Sequence, residues 1–197
     1  MTFIDKFWGG DFDFVWAGTG VAAADPQLQF FENFPGHLGA EFAVRSNGTL
    51  SIHAVNIPLS LSFNYPVVLV SRPNSGGQQT VRFGLYSLNG STLSLANSAS
   101  NSISFSNAIS WISMVTSATQ NVTPGAWYFA LQFESSQTSN LSMFANSSIN
   151  PANAIPGEFL MGRMTASTSA MPASIATSDL DITGSDAIRQ PYIIVTA

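Results

Sequence analysis

Asp179, Asp181 and Asp186 stand around Gly184 in DLDITGSD, oxygen donors at alternate positions as at the start of a calcium loop. A twelve-residue loop beginning at Asp179 needs a bidentate glutamate where Gln190 stands, so the segment reads as a solvated hairpin. Only two histidines occur, which leaves a histidine-dependent triad or a multi-histidine metal site almost no material. His53, inside TLSIHAV, reads as a strand-surface residue, and His37, after Pro35-Gly36, as part of a loop. Glu134 and Glu158 have the chemistry of a hydrolytic acid/base pair, but nothing in their spacing brings them together. No G-x-S-x-G elbow, phosphate loop or G-x-G-x-x-G run occurs, and the GTG at Gly18 to Gly20 is too short to count. The expectation is a protein that is not an enzyme, with no catalytic residue, no cofactor and no metal.

Residues that could recognise rather than react are easier to find. Trp8, Tyr65, Trp111 and Tyr128 carry flat rings that could stack on sugars, and Tyr65, Trp111 and Tyr128 are the candidate ligand-facing aromatics. Residues 1–36 also hold Phe3, Phe7, Trp8, Phe12, Phe14 and Trp16, followed by Phe30, Phe31 and Phe34. A run this aromatic needs a surface to pack on. It reads either as the first strands of the domain or as a docking arm; the alternation in DFDFVW, Phe12, Phe14 and Trp16 against Asp11 and Asp13, suits a strand in both cases. Asn47, Asn89, Asn121, Asn140 and Asn146 each open a formal glycosylation triplet, but in a chain rich in Asn, Ser and Thr they read as turns.

The elements that must position these side chains are short alternating strands. VRFGLYSL, TLSL, SISFS and AWYFALQF place Val81, Phe83, Leu85, Leu93, Leu95, Ile103, Phe105, Trp127, Phe129, Leu131 and Phe133 at period two. Asn89-Gly90, the NSASNS stretch from Asn97 to Ser102, and Thr123-Pro124-Gly125 read as the turns between them. TLSIHAV, PLSLSF, PVVLVSR and NLSMFA are further strand candidates, with Pro58 and Pro66 marking edges or bends. EFLMGRMTAS and PYIIVTA look like closing strands, and residues 147–158 read as loop. No helix of ten residues or more and no internal repeat is expected. The fold class that follows is all-β, an antiparallel sandwich, with 37–197 as the sandwich domain.

Composition limits the partners. Charged residues make up 9% of the 197, against about 25% in ordinary soluble domains, so Ser, Thr and Asn must carry most of the polarity. A mean hydropathy of +0.20 without an apolar run near membrane-spanning length gives no reason to expect a membrane partner. The apolar surplus then needs a subunit interface, and a homo-oligomer is expected. With net charge -5 and only six basic residues, no nucleic-acid partner is expected. The absence of cysteine fits synthesis in a reducing compartment, and MTFIDKFWGGDFDF lacks the pattern of a secretory signal.

The stretches RFGLYSLNGSTLSLANSAS and ISWISMVTSATQNVTPGAWYFALQF resemble the jelly-roll heads of tailed-phage fibres and other virion appendages. The similarity lies at Gly84 and Tyr86, at Thr92 to Leu95, and at Thr123 to Ala130, and covers about 50 of 197 residues. It implies a jelly-roll sandwich that assembles as a homotrimer, is made in the host cytoplasm and resides in the virion. It further implies other virion proteins, of capsid or tail, as partners, and a host surface glycan or receptor as a further one. The long heptad or collagen-like shaft of a full fibre is missing, so both a host-attachment head and a capsid decoration protein stay open. A free carbohydrate-binding module is the alternative outside this family.

Overall fold

The structure, a computed structural model, describes residues 30–32, 39–45, 48–57, 60–71, 78–104, 109–135, 141–146, 161–165, 170–181 and 193–196. In chain order its strands are β1 (Phe30–Glu32), β2 (Gly39–Arg45), β3 (Thr49–Ile57), β4 (Leu61–Phe63) and β5 (Tyr65–Ser71). Then come β6 (Gln78–Asn89), β7 (Thr92–Ser104), β8 (Ile109–Ser113), β9 (Val115–Thr116) and β10 (Gln120–Val122). The last are β11 (Gly125–Ser135), β12 (Leu141–Asn146), β13 (Met161–Thr165), β14 (Ser174–Ala176) and β15 (Ile193–Thr196). The helical content among the described residues is one 3-10 turn, Thr177–Asp179.

The period-two runs become an antiparallel sheet in the order β13-β3-β11-β6-β7-β14, with β9 beside β7. A second sheet runs β1-β15-β5-β12-β2, with β8 on the other side of β5. Val55, Val81, Phe83, Leu85, Phe129, Leu131 and Phe133 of the first sheet are buried against Val68, Ile112, Ile193 and Val195 of the second. This layer is the main core of a β-sandwich. Phe83 sits at its centre, edge-on to Phe129 at 5.3 Å and to Phe63 at 6.2 Å between ring centroids. Phe63 arrives from β4, which pairs with β10 and closes one end of the layer together with Val122. β8 and β9 close a corner: β8 pairs with β5 of one sheet and β9 with β7 of the other.

The seven-stranded sheet is buried on its other face as well. Leu50, Ile52, Tyr86, Leu93, Tyr128 and Ala130 are covered there by Met171, Ile175 and Leu180. Residues 170–181 therefore form a strap across the sheet. It is tied at one sheet edge by β14 on β7 and by Leu95 N donating to Ala173 O. At the other edge Arg163 and Asp181 exchange backbone hydrogen bonds, and Arg163 Nε reaches Asp181 Oδ2 at 3.1 Å.

Several sequence expectations change. Asn97 to Ser102 is not a turn but the continuation of β7, paired with β6 from Leu85 back to Thr80. The register steps from Leu85–Asn97 to Tyr86–Leu95, which leaves Ala96 as a bulge. Asn97 is buried beside it, its Nδ2 donating to Ala118 O while its Oδ1 accepts from Ser98 N and Ser117 Oγ. His53 is not on a strand surface: it is 1% exposed and lies on the core side, opposite Phe129. Pro66 marks no edge, since β5 has partners on both sides at this residue and its carbonyl accepts from Met114 N; the chain bends just before it, at Asn64. Asn121 stands within β10 rather than in a turn, and Asn146 ends β12. The turn at Asn89-Gly90 is present, Gly90 taking a φ of 61° that suits glycine at the start of a two-residue hairpin. Of the expected arm, Phe30–Glu32 is a strand of the second sheet, paired with β15.

Candidate interaction surface

Residues 111–116 alternate between the core and the outside. Ile112, Met114 and Thr116 are buried, whereas Trp111, Ser113 and Val115 are exposed. The ladder between β5 and β8 pairs Leu69 with Trp111 and Val67 with Ser113. It continues through Met114 N to Pro66 O and Thr116 N to Asn64 O, which puts Tyr65 opposite Val115. Residues opposite one another share a face, so Tyr65, Val67, Trp111 and Val115 all look outward from the six-stranded sheet. Ile194, paired with Val67 and half-buried, continues the strip across β15.

Exposure marks this strip as distinct. Trp111 is 54%, Val115 62% and Tyr65 40% exposed, and Leu88, the remaining exposed large hydrophobic among the described residues, lies elsewhere near the β6–β7 turn. Single exposed apolar residues are normal on any protein, but Tyr65 and Val115 opposite one another, with Trp111 farther along the same face, form a patch. None of the described side chains on it is charged.

Tyr65 and Trp111 thus share a face, as sequence reasoning alone could not show, about 13 Å apart along the ladder at the usual rise per residue. Tyr128 does not join them. It is 5% exposed under the strap, so it is not ligand-facing in this fold. Phe3, Phe7, Trp8, Phe12, Phe14 and Trp16 lie outside the described residues, as do Asp186, Glu158 and His37. Val115 is the residue that the sequence reading missed, although the alternation in ISWISMVT marks it.

Among the described residues the polar side chains pair across the strands rather than meeting at a centre. Glu134 accepts from Arg82 Nη2 at 2.6 Å across β11 and β6. Beside that pair Gln132 is fully buried, and Arg82 Nη1 is buried without a hydrogen-bond partner. Thr80 and Ser102 share a hydroxyl hydrogen bond of 2.7 Å on the same face of the sheet. Asp179 is exposed in the 3-10 turn, and Asp181 is committed to Arg163. Among the described residues no group of three or more His, Cys, Asp and Glu side chains is placed to hold a metal ion. No described helix is long and apolar enough to cross a membrane.

A scan against protein families finds none whose pattern matches this chain, and a comparison with characterised proteins finds no match.

Proposed function

We propose that this chain is a non-enzymatic structural protein of a virion, a surface-exposed jelly-roll trimer serving as a fibre or spike head or as a capsid decoration. The observation that carries the reading is the apolar strip of Tyr65, Trp111 and Val115 on the outside of the sandwich formed by the described residues. A chain with 9% charged residues that turns large hydrophobics outward from its buried core is built for assembly. The sequence resemblance to phage appendage heads supplies the setting, and the antiparallel sandwich agrees with it. Immunogold labelling of purified particles from the source of the sequence tests the location. Regular labelling of capsid or tail is expected; particles free of the protein, with all of it in the soluble fraction, would sink the reading.

The common face of Tyr65 and Trp111 favours one second reading, a carbohydrate-binding module with two stacking rings. In that case neutral oligosaccharides should shift Trp111 fluorescence in a saturable way, and Trp111→Ala should abolish binding without loss of fold.

A further inference from the structure

We infer that the outer face of the six-stranded sheet around Tyr65, Trp111 and Val115 is where copies of this chain meet, each strip packing on the same strip of its neighbours. The inference rests on the multimeric part of the reading above and assigns its contact face.

Charge selects the occupant. Each copy carries a net -5, so copies that approach through acidic surface repel one another. The strip has no charged side chain among those described, so it offers nothing to a charged partner and no repulsion to its own kind. The core of an obligate interface has this makeup, depleted in charge and enriched in aromatic residues. Geometry selects the mode of contact. The strand that carries Val115 is hydrogen-bonded toward β5 on one side and to β7 on the other, so no open ladder is left there for edge pairing. At Val115 the contact is therefore face-to-face packing of side chains, as between stacked sheets. Trp111 on β8 and Val115 on β9 are held by pairing of these strands with β5 of one sheet and β7 of the other.

The chain has no cysteine, so Ser113→Cys introduces a single thiol in the middle of the strip. On mild oxidation of the full-length protein this variant should form a disulfide-linked pair of twice 20.9 kDa, while Ser91→Cys, exposed in the β6–β7 turn, should stay unlinked. Light scattering should give the wild type a multiple of 20.9 kDa, and Val115→Glu should return it to that mass with a dissociation constant raised about 100-fold or more. Trp111→Ser, a milder change, should weaken the assembly in the same direction if the glutamate variant fails to fold. Leu88→Glu, off the strip, should leave the mass unchanged.

A wild type of 20.9 kDa overturns the inference, whether its own residues 1–29 or a different protein then covers the strip. So does a multimer in which Ser113→Cys stays unlinked and both strip variants keep the mass. The particle-labelling result is independent of these readouts. A strip-linked multimer absent from particles would remove the virion location alone, and a monomer present on particles would remove the contact face and the trimer while leaving the virion location.

Discussion

Gly84 lies where β6 passes beneath the strap, and a Cβ built there would stand 2.7 Å from both Met171 Cε and Tyr86 Cε2. The Met171 methyl can swing away, but the Tyr86 ring is held because its hydroxyl donates to Pro172 O at 2.7 Å. Gly84→Ala should therefore destabilise the fold by about 1–3 kcal/mol through overpacking, measured by urea unfolding. Tyr86→Phe should lose about 1 kcal/mol, since it leaves the Pro172 carbonyl without this donor. Burial also pushes the Tyr86 phenol above its ordinary value of about 10, because the charged form would be desolvated. The unfolded chain releases this proton near pH ~10 and the folded one only at higher pH. The stability tied to Tyr86 is thus fully present below about pH 10 and falls as the pH rises beyond it. Thermal unfolding of wild type and Tyr86→Phe at increasing alkaline pH should show the steeper loss in the wild type; parallel curves would contradict this.

At the scale of elements, the strap joins two kinds of interaction whose sizes differ. Leu180 is 7% exposed and belongs to the apolar layer on the outer face of the seven-stranded sheet. Leu180→Ala should cost about 2–4 kcal/mol. The Arg163 and Asp181 side chains are 32% and 42% exposed, so solvent screens their pairing, and Asp181→Asn should cost less than about 1 kcal/mol. Equilibrium unfolding of the two variants side by side checks the order, and a larger loss in Asp181→Asn would show that the ion pair, not the apolar layer, holds the strap. The bulge at Ala96 is the other device at this scale. It puts Leu93 on the strap side and Ala99 on the main-core side, although both positions are odd-numbered on one strand. Deletion of Ala96 would carry one half of β7 through a register shift that exchanges its faces, and loss of folded protein on expression is the expected result.

For the whole molecule, the filled layer between the sheets decides stability and the outside decides behaviour. Phe83 is fully buried and meets both Phe63 and Phe129, so Phe83→Ala should cost about 3–5 kcal/mol, a large share of an ordinary domain's stability, measured by urea unfolding. Six basic against eleven acidic residues give a pI near 4.6. With so few charges, solubility should pass through a minimum near that pH, seen as a rise in turbidity that reverses on returning to neutral pH.

The alternation of Val81, Phe83 and Leu85 and of Phe129, Leu131 and Phe133 determined by itself that these segments are strands with one face in the core, because a side-chain period of two admits no other regular structure. The low charge likewise determined that Ser, Thr and Asn carry most of the polarity. What sequence could not decide is which faces meet what. The Ser- and Asn-rich stretch from Asn97 to Ser102 has the composition of a turn, and only the long ladder with β6 makes it strand. His53 is polar by type, yet it is buried because β3 is enclosed by its neighbours and by the opposite sheet. Tyr128 and Trp111 are equivalent as aromatic residues in the sequence; the strap buries one and the corner strand turns the other outward. Local pattern sets a strand's two faces through short-range geometry, but whether each face is core or surface depends on contacts between residues far apart in the chain, and only the tertiary structure makes those.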